Sequence, residues 1–262
     1  MKYVLVTGAY GGMGSKFIKL LIDNGYKVIA LDYKQGDIDG ALSIKTDITS
    51  EESVNSAFNQ VKSITDNLFA IVHFAGVYML NSLVEIPPSD FEKIFKINLY
   101  GAYLINKTFM PIIKKGSKIL ITTSELAPLD PLPFTGIYGI SKTALDKYAY
   151  SLRMELQLLG VSVSVLRAGA VDTGMLGVST TALDEFINNT KLYNCNAKRF
   201  KNIVEGVEAK KIKPEKIAKK ALKIIETKKP KFAYKINRNP LLLLLNLMPK
   251  SFQFFIIRKI LK

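Results

Sequence analysis

Residues 3–14, YVLVTGAYGGMG, set a strand, a glycine turn and the opening of a helix into a dozen positions. A β-branched run that meets glycines at 8, 12 and 14 and then helical periodicity leaves few folds open. The strand must end at a sheet edge and hand the chain directly to a helix packed back against it. Glycines at those places permit the tight turn, let backbone approach a pyrophosphate closely, and let the helix sit tightly on the strand. The helix N-terminus adds unpaired N–H groups and the positive end of a dipole, which suits an anion.

The same alternation runs on through the chain. Strand candidates are YVLVT (3–7), KVIALD (27–32), ALSIKTD (41–47), LFAIVH (68–73), SKILITT (117–123), VSVSVLR (161–167) and KFAYK (231–235). Between them lie helix-periodic stretches: GMGSKFIKLLIDNG closed by Gly25, SEESVNSAFNQVKSI opened by Ser50, a long segment from Ser89 to Gly116, and YGISKTALDKYAYSLRMELQLLG stopped by Gly160. Strand and helix in strict succession predict an α/β chain: a single-domain Rossmann fold whose doubly wound parallel sheet has about seven strands. Residues 1–238 are read as this domain, with a substrate loop at about 172–213, and 239–262 as a C-terminal apolar and basic helical tail.

Composition narrows the function classes. The 262 residues are 48% hydrophobic, ample for one core. Cys195 is the only cysteine, which excludes an intrachain disulfide and points to a reduced, cytoplasmic protein with an inert thiol. With His73 the only histidine, no metal site is expected. The first residues enter a strand at once, without the apolar core and small-residue cleavage site of a signal peptide. The net charge of +15 gathers in lysine-rich stretches after residue 196. No nucleic-acid-binding motif accompanies it, so a solvated lysine face is the reading and nucleic acid is not an expected partner.

The tail, NPLLLLLNLMPKSFQFFIIRKILK, is bracketed by Pro240 and Pro249 and is far short of the roughly 20 apolar residues of a membrane span. Phenylalanine, isoleucine, lysine and arginine mixed after Pro249 suit an amphipathic helix lying on an anionic membrane, at the inner surface of a cytoplasmic bilayer. They suit equally a helix packed on its own domain or on a second subunit.

Asp32 ends the second strand, 18 residues after Gly14. A carboxylate there accepts hydrogen bonds from an adenosine ribose and repels a 2′-phosphate, which favours NAD(H) over NADP(H), with Lys34 nearby to soften the preference. From this point the chain resembles the short-chain dehydrogenase/reductase family. Thr7, Gly8, Gly12 and Gly14 match its glycine motif, KTDIT carries Asp47, HFAG ends on Ala75 and Gly76, and KINLYGAY carries Asn98. Ser124 ends the fifth strand, YGISK supplies Tyr138 and Lys142, RAGAVDT carries Gly169, Val171 and Thr173, and KPEKIAKKAL resembles the family's late Pro-Glu helix. The likeness covers nearly the whole chain to about residue 235.

The resemblance implies hydride transfer between nicotinamide and a carbonyl or secondary alcohol carbon. It implies Ser124, Tyr138, Lys142 and Asn98 as catalytic residues, Tyr138 moving the proton on oxygen and Ser124 orienting the substrate. Lys142 would lower the phenol's pKa and hold the ribose, and Asn98 would hold a relay water. Thr7, Gly8, Gly12, Met13, Gly14, Asp32, Asp47, Ile48, Ala75, Gly76, Tyr138, Lys142, Val171 and Thr173 would contact the dinucleotide.

A second Tyr-x-x-x-Lys, YLINK at 103–107, has the same helical spacing, and Ser89 lies as far before Tyr103 as Ser124 lies before Tyr138. Ser89 opens a helix, whereas Ser124 closes a parallel strand at the edge where α/β sheets bind ligands, so Tyr138 is the choice. The chain departs from the family pattern at Phe74 (for asparagine) and Ala168 (for proline), and Thr123 competes with Ser124 for the serine role.

Leu126, Phe134, Gly169, Met175 and Leu176 are the expected substrate pocket, with Leu132 and Val178 beside them. Such a lining suits a lipophilic alcohol or ketone, hydroxysteroid-like, rather than a sugar or an acidic metabolite. The competing class is a catalytically silent dinucleotide sensor that docks on a membrane or partner through its tail. The family resemblance also implies a homo-oligomer, dimer or tetramer.

Overall fold

The computed structural model describes residues 1–207 and 211–262, with helical backbone alone for 174–181 and 206–207. Seven parallel strands run in the order β3-β2-β1-β4-β5-β6-β7: β1 Tyr3–Thr7, β2 Lys27–Asp32, β3 Ala41–Lys45, β4 Leu68–His73, β5 Ile113–Thr122, β6 Ser162–Ala168 and β7 Ala233–Ile236. The chain starts in mid-sheet, winds outward to β3, and crosses back through β4 to build the other half. The direction of winding therefore reverses between β1 and β4, and the crevice at the carboxyl ends of those strands is the binding position such a sheet provides.

The helices are α1 Gly12–Asp23, α2 Glu51–Lys62, α3 Pro88–Phe95, α4 Gly101–Phe109, α5 Gly136–Leu156, α6 Gly174–Asn189, α7 Asn194–Val207, α8 Pro214–Glu226, α9 Pro240–Leu247 and α10 Lys250–Leu261. Period-two alternation divides each central strand between two cores. Val4, Val6, Ala70 and Val72 face α1 and α8 through Phe17, Ile18, Leu21, Ile217 and Ala221. Leu5 and Ile71 face the other layer, through Val54 of α2, Ile105 and Phe109 of α4, and Leu145 and Ala149 of α5. Ser50 caps α2, accepting from the Ser53 amide, and Gly160 turns the chain out of the long α5 segment at φ +72°.

The segment expected as one helix from Ser89 to Gly116 divides. A π-helical turn, Lys96–Tyr100, joins α3 to α4, and Pro111, which has no N–H to give, lies in the 3-10 turn that ends the helix. β5 therefore begins at Ile113, four residues before the expected start, with a register shift against β4 before Ala70 pairs with Lys118.

His73 ends β4 in full burial, its Nε2 3.0 Å from Asn106 Oδ1, and Asn106 Nδ2 donates to the Tyr148 hydroxyl at 3.2 Å. Burial pushes the imidazole down to about 4, the Asn106 contact opposing only in part. Between pH 6.5 and 4 the unfolded chain binds a proton that the folded one refuses, so stability falls as pH drops through that window. The loss is expected to reach about 3 kcal/mol by pH 4, and His73→Gln should remove it in urea titrations run at a series of pH values.

Candidate active site

Gly8, at φ +68°, turns the chain out of β1, and a Cβ there would lie 2.6 Å from the Ala75 amide nitrogen. The Gly14 position is closer still, 2.1 Å from the Gly8 carbonyl oxygen, and a Cβ on Gly12 would meet Thr173 Cγ2 at 2.8 Å. The loop is thus pressed against β4 on one side and the 170s segment on the other, a fit that only hydrogen side chains allow. Thr7 is buried, with the Phe74 amide donating to its carbonyl at 3.0 Å and the Ala75 amide to its hydroxyl at 3.4 Å. Phe74, where the family pattern has asparagine, packs its ring edge-on against Phe17 at 5.5 Å and keeps the backbone contact.

Asp32 is held from both sides by backbone: the Tyr10 amide donates to Oδ2 and the Lys34 amide to Oδ1, each at 2.9 Å. Its carboxylate is thereby fixed at the end of β2, beside the glycine loop. Asp47 folds its own turn, accepting from the Thr49 amide and hydroxyl at 2.8 Å. Ile48 packs under Gly101, where a Cβ would be 2.6 Å from its Cδ1. Val171 bridges to Ile212, and the Thr173 amide donates to the Val171 carbonyl at 2.8 Å.

Beside the glycine loop and the 170s segment lies a cavity of about 310 Å³ at the carboxyl edge of the sheet; Asp32, Asp47 and Ile48 stand outside its lining. Met13, Gly76, Ser124, Tyr138, Lys142, Val171 and Thr173 all line it. The Tyr138 phenol lies beside the Ser124 side chain. Lys142, on the same helix, reaches 5.8 Å from the Tyr138 ring centre and donates to the Thr122 carbonyl at 3.4 Å. Asn98, inside the π turn, accepts from the Val77 amide at 2.8 Å and donates to the Val77 carbonyl and the Ser141 hydroxyl, both at 3.0 Å. A Cβ on Gly76 would lie 3.1 Å from Asn98 Oδ1 and 3.2 Å from Lys142 Nζ, so glycine at 76 keeps the space between those groups open. Thr123 is no rival to Ser124: its hydroxyl donates to Asp146 Oδ1 at 3.1 Å, in the buried pair that Arg167 completes at 2.7 Å.

The titration expected of the pair is not what this geometry produces. Burial pushes the Tyr138 phenol above its ordinary value, with repulsion from Tyr78 adding and the neighbouring Ser124 hydroxyl opposing. Burial also lowers Lys142 to about 8. The lysine stands beside the ring while both groups lose solvation, and desolvation wins for each.

Leu126, Leu132 and Gly169 line the cavity as expected. Phe134 does not: at φ +66° it turns into the cluster behind the cavity wall, against Phe186, Tyr193 and Phe200, ring centres 4.8–5.5 Å away. A tight turn after Pro133 redirects the side chain, which strand-and-loop reading has no means of seeing. Met175, Leu176 and Val178 are outside the described residues as side chains. Sequence reading missed Tyr78, whose ring tilts against Tyr138 at 4.9 Å, and Glu125, Phe200, Ile203, Asn239 and Leu242. Only Glu125 had a signal, adjacency to Ser124. Tyr78 follows Gly76 in the loop after β4, and Phe200, Ile203, Asn239 and Leu242 reach the cavity from far along the chain.

Glu125 Oε2 accepts from the Asn239 amide at 2.6 Å, and burial raises its carboxyl pKa, that hydrogen bond and Arg238 opposing. The tail, left open between three placements, thus packs on its own domain. Asn246 Oδ1 accepts from the Asp130 amide at 2.9 Å, Lys250 pairs with Asp130, and Leu261 buries in the Phe134 core. Among the described residues no cluster could hold a metal ion and no helix is long and apolar enough to cross a membrane.

The short chain dehydrogenase family matches residues 2–184. An NADPH-dependent 1-acyldihydroxyacetone phosphate reductase of Schizosaccharomyces pombe is 29% identical over 66% of this chain and 60% of its own. Estradiol 17-beta-dehydrogenase 2 of Mus musculus is 33% identical over 66% of this chain and 49% of its own. The chain thus matches about half to three fifths of the length of these two relatives. A crystal structure of a short chain dehydrogenase family protein from Francisella tularensis superposes with a TM-score of 0.75 at 21% identity, covering 90% of this chain and 97% of that one, a likeness of fold.

Proposed function

Because the chain belongs to the short-chain dehydrogenase family, we propose that it is an NAD-dependent oxidoreductase interconverting a lipophilic secondary alcohol and its ketone. The observation that carries the reading is the convergence of Ser124, Tyr138 and Lys142 on one cavity whose remaining wall is largely apolar: Leu126, Leu132, Phe200, Ile203 and Leu242. The glycine cradle from Gly8 to Gly14 and the space kept by Gly76 fit a dinucleotide. When bound, the nicotinamide ring supplies or accepts the hydride.

The chain's own residues handle the oxygen. Ser124 donates a hydrogen bond to the substrate oxygen and orients it. Tyr138, kept neutral by burial, is ready to give its proton to a carbonyl oxygen. Taking a proton from an alcohol needs a cation beside the phenol, the role of Lys142, which is charged below about pH 8. Asn98 holds the loop at Val77 and the helix at Ser141 in register, so that Lys142 keeps its place above Gly76. A hydroxysteroid or a long-chain alcohol or ketone suits the apolar walls.

Asp32 supports NAD over NADP, since its fixed carboxylate meets a ribose diol with acceptors and a 2′-phosphate with like charge. The test is turnover of a panel of hydroxysteroids and long-chain secondary alcohols with NAD⁺ and NADP⁺, for the native protein and Asp32→Ala. The expected result is a preference for NAD⁺ that falls about tenfold in the variant, a change of ~1.4 kcal/mol. No turnover with either cofactor across the panel would count against the reading, and NADP⁺ preference in the native protein would overturn the role of Asp32.

A further inference from the structure

Helix α9 is two-faced at unusual cost. Leu242 points into the cavity and Asn246 is tied to the Asp130 amide, while Leu241, Leu244 and Leu247, at three-residue spacing on the opposite side, are 53%, 54% and 83% exposed. Helix α10 repeats the pattern. Gln253, Ile257 and Leu261, at four-residue spacing, turn inward, and Phe252, Phe254 and Phe255 stand 48%, 70% and 58% exposed. Phe252 and Phe255 stack on each other at 6.2 Å. A chain with a sufficient core has no folding reason to leave three leucines on one helix and three phenylalanines on the next in water.

Charge says what covers them. From Thr227 to the end the sequence has nine lysines and arginines and not one aspartate or glutamate. Arg258 and Lys259 lie on the same short helix as the exposed rings, and Lys262 caps its end. A second copy of the chain, docking this face on its like about a two-fold axis, would bring the two basic surfaces together. A nucleic acid would satisfy the cations and leave the leucines and rings wet. Apolar side chains on a segment whose own charges are all positive, with Asp130 beside it taken up by Lys250, match the acyl–headgroup boundary of an anionic bilayer, where both kinds of group are satisfied at one depth.

We propose that α9 and α10 form a docking surface for an anionic lipid bilayer, with the helix that walls the cavity lying at the membrane. Where the proposed function holds, a lipophilic substrate reaches the cavity past Leu242 from the acyl layer instead of from water; the docking itself does not depend on that reading.

The test is flotation of the full-length protein with phosphatidylcholine vesicles, with and without phosphatidylglycerol. The native protein should float with the anionic vesicles, less so at high salt. Arg258→Glu with Lys259→Glu should weaken this about 30-fold or more, on roughly fivefold per cation near the surface. Phe254→Ser with Phe255→Ser, solvent-exposed and so tolerated by the fold, should abolish it, with thermal melting checked for each. No flotation, or flotation untouched by both pairs, overturns the proposal. So does a lipid-free dimer, measured by sedimentation equilibrium, that the phenylalanine pair dissociates. Flotation without dehydrogenase activity would sink the functional reading and leave the docking intact.

Discussion

Tyr138→Phe is expected to lower kcat by about 10³-fold while leaving dinucleotide affinity and melting temperature near those of the native protein. The change deletes a single oxygen, the phenol oxygen beside Ser124, and keeps the ring against Tyr78 at 4.9 Å. The cavity walls and the glycine cradle are untouched, so nicotinamide fluorescence on binding should be preserved. The matched control is Tyr103→Phe. Tyr103 has a lysine over its ring at 5.7 Å, almost the 5.8 Å of the Tyr138 pair, yet it is 38% exposed on α4 and does not line the cavity that Tyr138 lines. It should retain full activity. Equal loss in both variants, or activity surviving Tyr138→Phe, would remove Tyr138 from the chemistry.

Lys142→Met should abolish turnover and at the same time make the protein more stable. Burial lowers the lysine to about 8 from the 10.5 of a free side chain. At neutral pH the folded protein therefore carries a desolvated cation whose hydrogen bond to the Thr122 carbonyl is a long 3.4 Å. The sign follows from proton counting. Below pH 8 both states are protonated and folding bears the whole penalty. Between 8 and 10.5 the unfolded chain holds a proton that the folded one has released, and stability rises with pH. A methionine of similar length removes the charge and fills the same slot, and the gain at pH 7 is expected to reach about 3 kcal/mol. In a chain of this size that is a rise in melting temperature of roughly 6–12 °C. Calorimetry across pH 7–10.5 checks it: the native curve should climb toward that of the variant. A variant less stable than the native protein at pH 7 would show that the lysine is held by attractions stronger than its desolvation.

The sheet was readable because its causes are local. Apolar runs a few residues long, glycines at turns and an N-cap serine each act over one or two turns of chain, and β1, β2 and β4 lie where those signals put them. The one sizeable boundary error, at β5, came from a proline whose helix-stopping effect competed with helical periodicity on both sides of it. At the site, Ser124, Tyr138 and Lys142 could be chosen because one strand end and one helical turn position them. Phe134 could not be placed, since a left-handed backbone angle at one residue turned its ring from the cavity into another core.

What the amino-acid order settled unaided is therefore whatever neighbours along the chain enforce: sterics at Gly8 and Gly14, the i, i+4 spacing of tyrosine and lysine, and the carboxylate at the end of β2. Burial is different in kind, because it sums over residues more than a hundred positions apart. Two Tyr-Lys pairs with the same spacing and nearly the same ring geometry diverge for that reason alone, one half in water, the other walled in by Val171, Phe200 and Leu242. Folding the chain raised the phenol, lowered the lysine, gave Thr123 to Asp146, and laid the tail across the cavity with its leucines outward. No window of sequence could have weighed those outcomes, because the solvent each group loses is displaced by side chains from elsewhere in the chain.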